Sequence, residues 1–115
     1  MVRRLFALVL PLVLAGPASA AIDLAGLSAS DRRIYCYVYV SIDLEMRQKA
    51  GLIDGADASR QTSKMVGTVY RREGNLSSGV YARRANSALA RIVADKPSDA
   101  YLASQVKTCR ALFGL

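Results

Sequence analysis

The chain has no histidine and no tryptophan, and only two cysteines and three prolines among its 115 residues. Past the first twenty residues it also has no apolar run of the ~20 residues that a membrane span needs. Each absence excludes something. Without histidine the commonest general base is missing, and with it the serine and cysteine triads that depend on an imidazole. Two thiols with no imidazole beside them fall short of a four-ligand zinc site, and no Cys-x-x-Cys pair offers a redox dithiol. Ser104-Gln105-Val106-Lys107 has the spacing that sets a nucleophile and a base one helical turn apart. Its companion motifs are missing, however, and Lys107-Thr108-Cys109 is not Lys-Thr-Gly, so it reads as a solvated helix face. Asp54 and Asp57 lack the twelve-residue calcium loop and its closing glutamate, and read as capping residues. The chain is therefore expected not to be an enzyme and to carry no cofactor and no metal.

What is present begins with a leader. Arg3 and Arg4, the apolar stretch Leu5 to Leu14, Gly16-Pro17 and the small-residue Ala18-Ser19-Ala20 have the order of a secretory signal peptide cleaved after Ala20. Residues 1–20 are then the signal peptide and 21–115 a single domain of 95 residues, too short for two independent cores. Removing Arg3 and Arg4 takes Lys plus Arg from 16 to 14 against nine acids, a charge of about +5. A periplasmic or secreted location makes nucleic acid a poor partner and favours an acidic protein or an anionic envelope component, because long-range charge raises local concentration and association rate. In that setting Cys36 and Cys109 are expected to form one structural disulfide. Closing a loop of about 70 residues is worth on the order of 4 kcal/mol by chain entropy.

Four helical segments follow. Ser28 to Asp31 offer caps for a segment that runs to Ala50, with Gly51 as its stop. Tyr35, Tyr39, Ile42 and Met46 share one face of it. Its first half, Ile34 to Val40, also alternates as a strand would. The absence of Gly or Pro and the helical period beyond favour helix, and a helix apolar on all sides must lie in the middle of the molecule. A second helix is expected from Ala58 to Arg72, capped by Asp57 or Ser59, with Thr62, Met65, Val66, Val69 and Tyr70 inward. The third starts at Ser77 or Ser78 and stops at Lys96-Pro97. Its apolar stripe is Val80, Tyr81, Ala85, Ala88, Leu89, Ile92 and Val93, with Arg83, Arg84 and Arg91 outside. The fourth, capped by Ser98, turns Leu102, Val106, Cys109 and Phe113 to one side. Asn75-Leu76-Ser77 matches a glycosylation sequon but suits turn and cap chemistry better.

The expected fold is all-α: a small antiparallel, up-down four-helix bundle in which the disulfide joins the first and last helices, consistent with short connections. In size, export and single disulfide the chain resembles small periplasmic helical proteins that act by binding, such as toxin-neutralising immunity proteins and acid-activated chaperones. The expected function is accordingly non-enzymatic binding, as an inhibitor, immunity or chaperone-like module. The alternative is a structural envelope protein that lays a basic helical face on anionic lipid. Candidates for the binding surface are Arg60, Lys64 and Arg71 on the second helix, Arg84 and Arg91 on the third, which form one surface if those helices are adjacent, and Tyr37 and Tyr101, which the core stripes leave unexplained.

Overall fold

The computed structural model describes residues 22–74 and 77–115. The leader expected over 1–20 lies outside them, as do Asn75 and Leu76 of the sequon. The described chain is all-helical, with no strand among the described residues. A short 3₁₀ turn, Leu24–Gly26, precedes four helices: α1 (Ala29–Lys49), α2 (Gly55–Glu73), α3 (Ser78–Asp95) and α4 (Asp99–Phe113).

Each helix begins on a side-chain oxygen that accepts a backbone N–H, as orphan donors at a helix start require. Ser28 accepts from Asp31, Asp54 from Asp57, Ser77 from Val80 and Ser98 from Tyr101. Asp54 rather than Asp57 or Ser59 therefore caps α2, which starts three residues earlier than the sequence pattern suggests. Gly74 and Gly114 end α2 and α4 with φ near +66° and +69°, where a side chain would be strained.

Ile34 to Val40 is helical, and the strand alternation there is overridden. Ile34, Cys36, Val38, Tyr39, Val40 and Leu44 are all buried, and at 3.6 residues per turn these positions fall on every side of α1. A helix of that kind needs neighbours all round. It has them: α2, α3 and α4 each pack on α1, α2 touches α4 lightly, and the other pairs share almost nothing. The expectation that chain-connected helices pack side by side fails for α2–α3 and α3–α4, because each outer helix buries its stripe on α1, whose buried residues lie on every side. The outer edges of those stripes stay open. Met46, Tyr70, Leu89 and Val93, expected inside, are 53%, 42%, 40% and 63% exposed.

Two features fix the ends. The disulfide joins Cys36 in the first half of α1 to Cys109 in the second half of α4, both fully buried, with Cα atoms 4.8 Å apart. The lead-in before α1, which has no sequence periodicity, is docked rather than loose. Ile22 is 1% exposed, and Arg32 of α1 donates to the carbonyls of Leu24 and Leu27 at 2.9 Å and of Ala25 at 3.3 Å. The Tyr101 hydroxyl donates to the Ile22 carbonyl, and the Gln105 amide donates to the Tyr101 oxygen at 2.6 Å. Tyr101 is thus engaged in holding the lead-in onto α4.

Candidate anion-binding pocket

α3 carries Arg83, Ser87 and Arg91 at four-residue spacing, which places them in a row along one side of the helix. Arg84 stands next to that row. Opposite them α1 presents Asp31, Ile34 and Tyr35, and Leu27 lies at the end. Together these residues and Ala88 surround an open pocket of about 460 Å³ between α1 and α3. Its floor is apolar, since Ile34 and Ala88 are 3% and 2% exposed, and its rim is basic.

The three guanidiniums are not equivalent. Arg84 is half-buried and spoken for: it donates to Ser30 Oγ and Asp31 Oδ1, each at 2.8 Å, and lies 3.5 Å from Glu73 Oε1. Glu73, the last residue of α2, also accepts from Ser30 and receives Arg33 at 2.8 and 2.5 Å. Burial works against the charge of this carboxylate, but the Ser30 hydroxyl, Arg33 and Arg84 outweigh it and hold its pKa below the usual value. The cluster ties the start of α1, the end of α2 and the first half of α3 into one joint. Arg83 and Arg91 are exposed and have no ion-pair or hydrogen-bond partner among the described residues. The one carboxylate that lines the pocket, Asp31, is already paired with Arg84, so neither Arg83 nor Arg91 forms an ion pair there. Elsewhere on α1, burial first, with the neighbouring Tyr101, Asp95 and Tyr35 adding to it and Arg91 opposing it, pushes the Tyr39 phenol up to about 12. Tyr39 is neutral in this setting and acts in packing.

The other basic candidates do not join this surface. Arg60 pairs with Asp57 on its own helix, Lys64 donates to the Gly114 carbonyl at 2.9 Å, and Arg71 donates to Thr68 Oγ1 at 3.1 Å. α2 and α3 are separated by a second, apolar groove of about 380 Å³, with Ile34, Tyr37, Val66, Val69, Tyr70 and Tyr81 among its lining. Arg84 and Arg91 are therefore brought together by α3, and Arg60, Lys64 and Arg71 stay apart on α2. Tyr37, a candidate from sequence, is half-buried in the wall of the apolar groove. Arg83, Tyr35 and Ser87 were not among the candidates. The four-residue row 83, 87, 91 was readable as a pattern, whereas Tyr35 enters only because α3 crosses α1 there.

Tyr81 stacks edge-on against Tyr70 with ring centroids 4.6 Å apart, and its hydroxyl is buried without a partner. Burial, then Glu73 and Tyr70, raise its pKa against the opposing charge of Arg84. An unpaired buried hydroxyl costs free energy that a ring hydrogen would not. Tyr81→Phe is expected to raise the unfolding free energy by roughly 1 kcal/mol, read as a higher urea midpoint with unchanged slope; a fall in stability would mean the hydroxyl has a partner in solution.

Among the described residues no cluster of three metal-ligating side chains occurs and no helix is long and apolar enough to cross a membrane. The chain matches no protein-family model, no curated protein and no solved structure.

Proposed function

We propose that this is a small exported, non-enzymatic binding protein that holds an anionic partner in the pocket between α1 and α3. In this reading the mature chain begins at Ala21 after signal cleavage and acts in the periplasm or outside the cell. The single observation that carries it is that two arginines without an ion-pair partner, Arg83 and Arg91, line one concavity with buried Ile34 and Ala88. Exposed arginines on a convex helix face are ordinary solubilising charge. Arginines that line a concavity with an apolar floor offer both an electrostatic and a desolvated component to a ligand, which is the anatomy of a binding site. The buried disulfide is chemically consistent with an oxidising compartment.

The test uses the disulfide-bonded mature protein and fluorescein-labelled polyglutamate, followed by anisotropy. Binding is expected to weaken steeply between low salt and about 0.15 M, where the screening length is about 8 Å. The Arg83→Ala/Arg91→Ala double variant should lose it, while Arg60→Ala/Lys64→Ala should retain it. Equal loss in both variants would mean diffuse charge rather than a pocket. Mass spectrometry of the exported chain checks the mature start independently: an N-terminus other than Ala21 would move the cleavage site.

A further inference from the structure

Building on the anion-binding reading, we infer that the pocket's occupant is an acidic amphipathic helix of a partner protein, with two carboxylates two helical turns apart and an apolar side chain between them. Arg83 and Arg91 are eight residues apart, or about 12 Å along α3 at 1.5 Å per residue. Carboxylates seven residues apart on a second helix are separated by about 10.5 Å and lie within about 20° of one line along it, so both arginines can be met at once. Each guanidinium can then take a carboxylate through two parallel hydrogen bonds. Midway between the arginines stand Ser87 and Ala88. These are the smallest side chains lining the pocket, and Ala88 shares its floor with buried Ile34. That is room for one apolar side chain at the middle of an approaching helix, placed as a ridge in the α1–α3 groove.

The geometry separates this occupant from two others. An extended peptide spans the same distance, but its backbone N–H and C=O groups would enter an apolar groove where no strand edge exists among the described residues to pair them. A helix satisfies its own backbone. A membrane surface offers phosphates without fixed spacing and does not reach into a concavity, and it would engage the outward cations of α2 as readily as those of α3.

The probe is a labelled alanine-rich helical peptide with two glutamates two turns apart and a leucine midway. Its control has the same composition with the glutamates one turn apart. Anisotropy titration of the mature protein is expected to show tighter binding of the two-turn peptide by roughly fivefold or more, and a loss of about tenfold or more in Arg83→Ala/Arg91→Ala. Both arginines are exposed, so the variants should fold, which a far-UV circular dichroism spectrum checks. In the charge-swapped pair, Arg83→Glu/Arg91→Glu should bind the same peptide with lysines in place of its glutamates. Equal affinity for the two registers would overturn the inference. So would binding of phosphatidylglycerol vesicles through Arg83 and Arg91 with neither peptide bound, and in that case the anion-binding pocket itself would stand. If polyglutamate, vesicles and peptides all ignore the two arginines, both the occupant and the pocket are wrong.

Discussion

Replacing Cys36 and Cys109 together by alanine is expected to lower the unfolding free energy by about 4 kcal/mol, from the chain-entropy cost of a loop this long. The two cysteines are 73 residues apart in sequence and fully buried, so the bond restrains most of the unfolded chain while forming inside packed structure. Losing two buried sulfurs adds a smaller cavity cost in the same direction. For a domain whose total stability is on the order of 5–15 kcal/mol, this is a large fraction, equivalent to a drop in melting temperature of about 20 °C. The position of the bond sharpens the expectation. α4 is held mainly by α1, with only light contact to α2, so without the cross-link its docking rests on Val106, Phe113 and the Tyr101 clasp on Ile22. Urea titrations of wild type, of wild type under reductant and of the double alanine variant should place the last two far below the first, with the alanine variant lowest. A loss under 1 kcal/mol would show that helix packing alone fixes the ends.

Glu73→Ala is expected to cost about 3 kcal/mol, at the lower end of what breaking a buried ion pair costs. The carboxylate is 7% exposed and serves Ser30, Arg33 and Arg84 at once, while the two arginines are 20% and 27% exposed and keep some water when it is removed. Glu73 also sets a pH dependence whose sign follows from its lowered pKa. Below the folded-state pKa both folded and unfolded forms are protonated and the contribution is gone; above the ordinary value near 4.5 both are ionised and it is fully present. Stability should therefore be flat in this respect above about 4.5 and fall as the pH drops through the lower folded value. Urea midpoints from neutral pH to acid should show that limb in wild type and a flatter one in Glu73→Gln. Parallel acid limbs would assign the titration to another carboxylate. Because Arg84 belongs to this joint and also borders the pocket, the same titration should loosen the rim on which Arg83 and Arg91 stand.

The two cysteines and the helical periods carried much of the architecture. Four helices, their capping serines and glycines, and the Cys36–Cys109 bond follow from local spacing and the pairing of the two cysteines, which act over a few residues or through covalent geometry. Ile34 to Val40 was legible as a central element even while its alternation suggested a strand, because an apolar circumference demands burial whatever its secondary structure. The candidate site was legible in part. Arg84 and Arg91 were visible as charges outside an apolar stripe, but nothing local distinguishes Arg84, consumed by Asp31 and Glu73, from Arg91, left without a partner. Glu73 lies one residue past the expected end of the second helix, where nothing local marks it as an ion-pair hub.

By itself the sequence determined the helices, their apolar faces and the cross-link, since backbone hydrogen bonding, side-chain period and disulfide length are short-range constraints. Only the tertiary structure decided that α1 is a hub rather than one corner of a square. That choice depends on how much apolar surface each helix can bury on each other one, a comparison among all pairs at once. From the hub follow the gap between α2 and α3, the docking of Ile22, and the pocket where α3 crosses α1. The pairing of charges was decided there too, because ion pairs such as Glu73 with Arg33 and Arg84 join residues whose proximity no local pattern encodes.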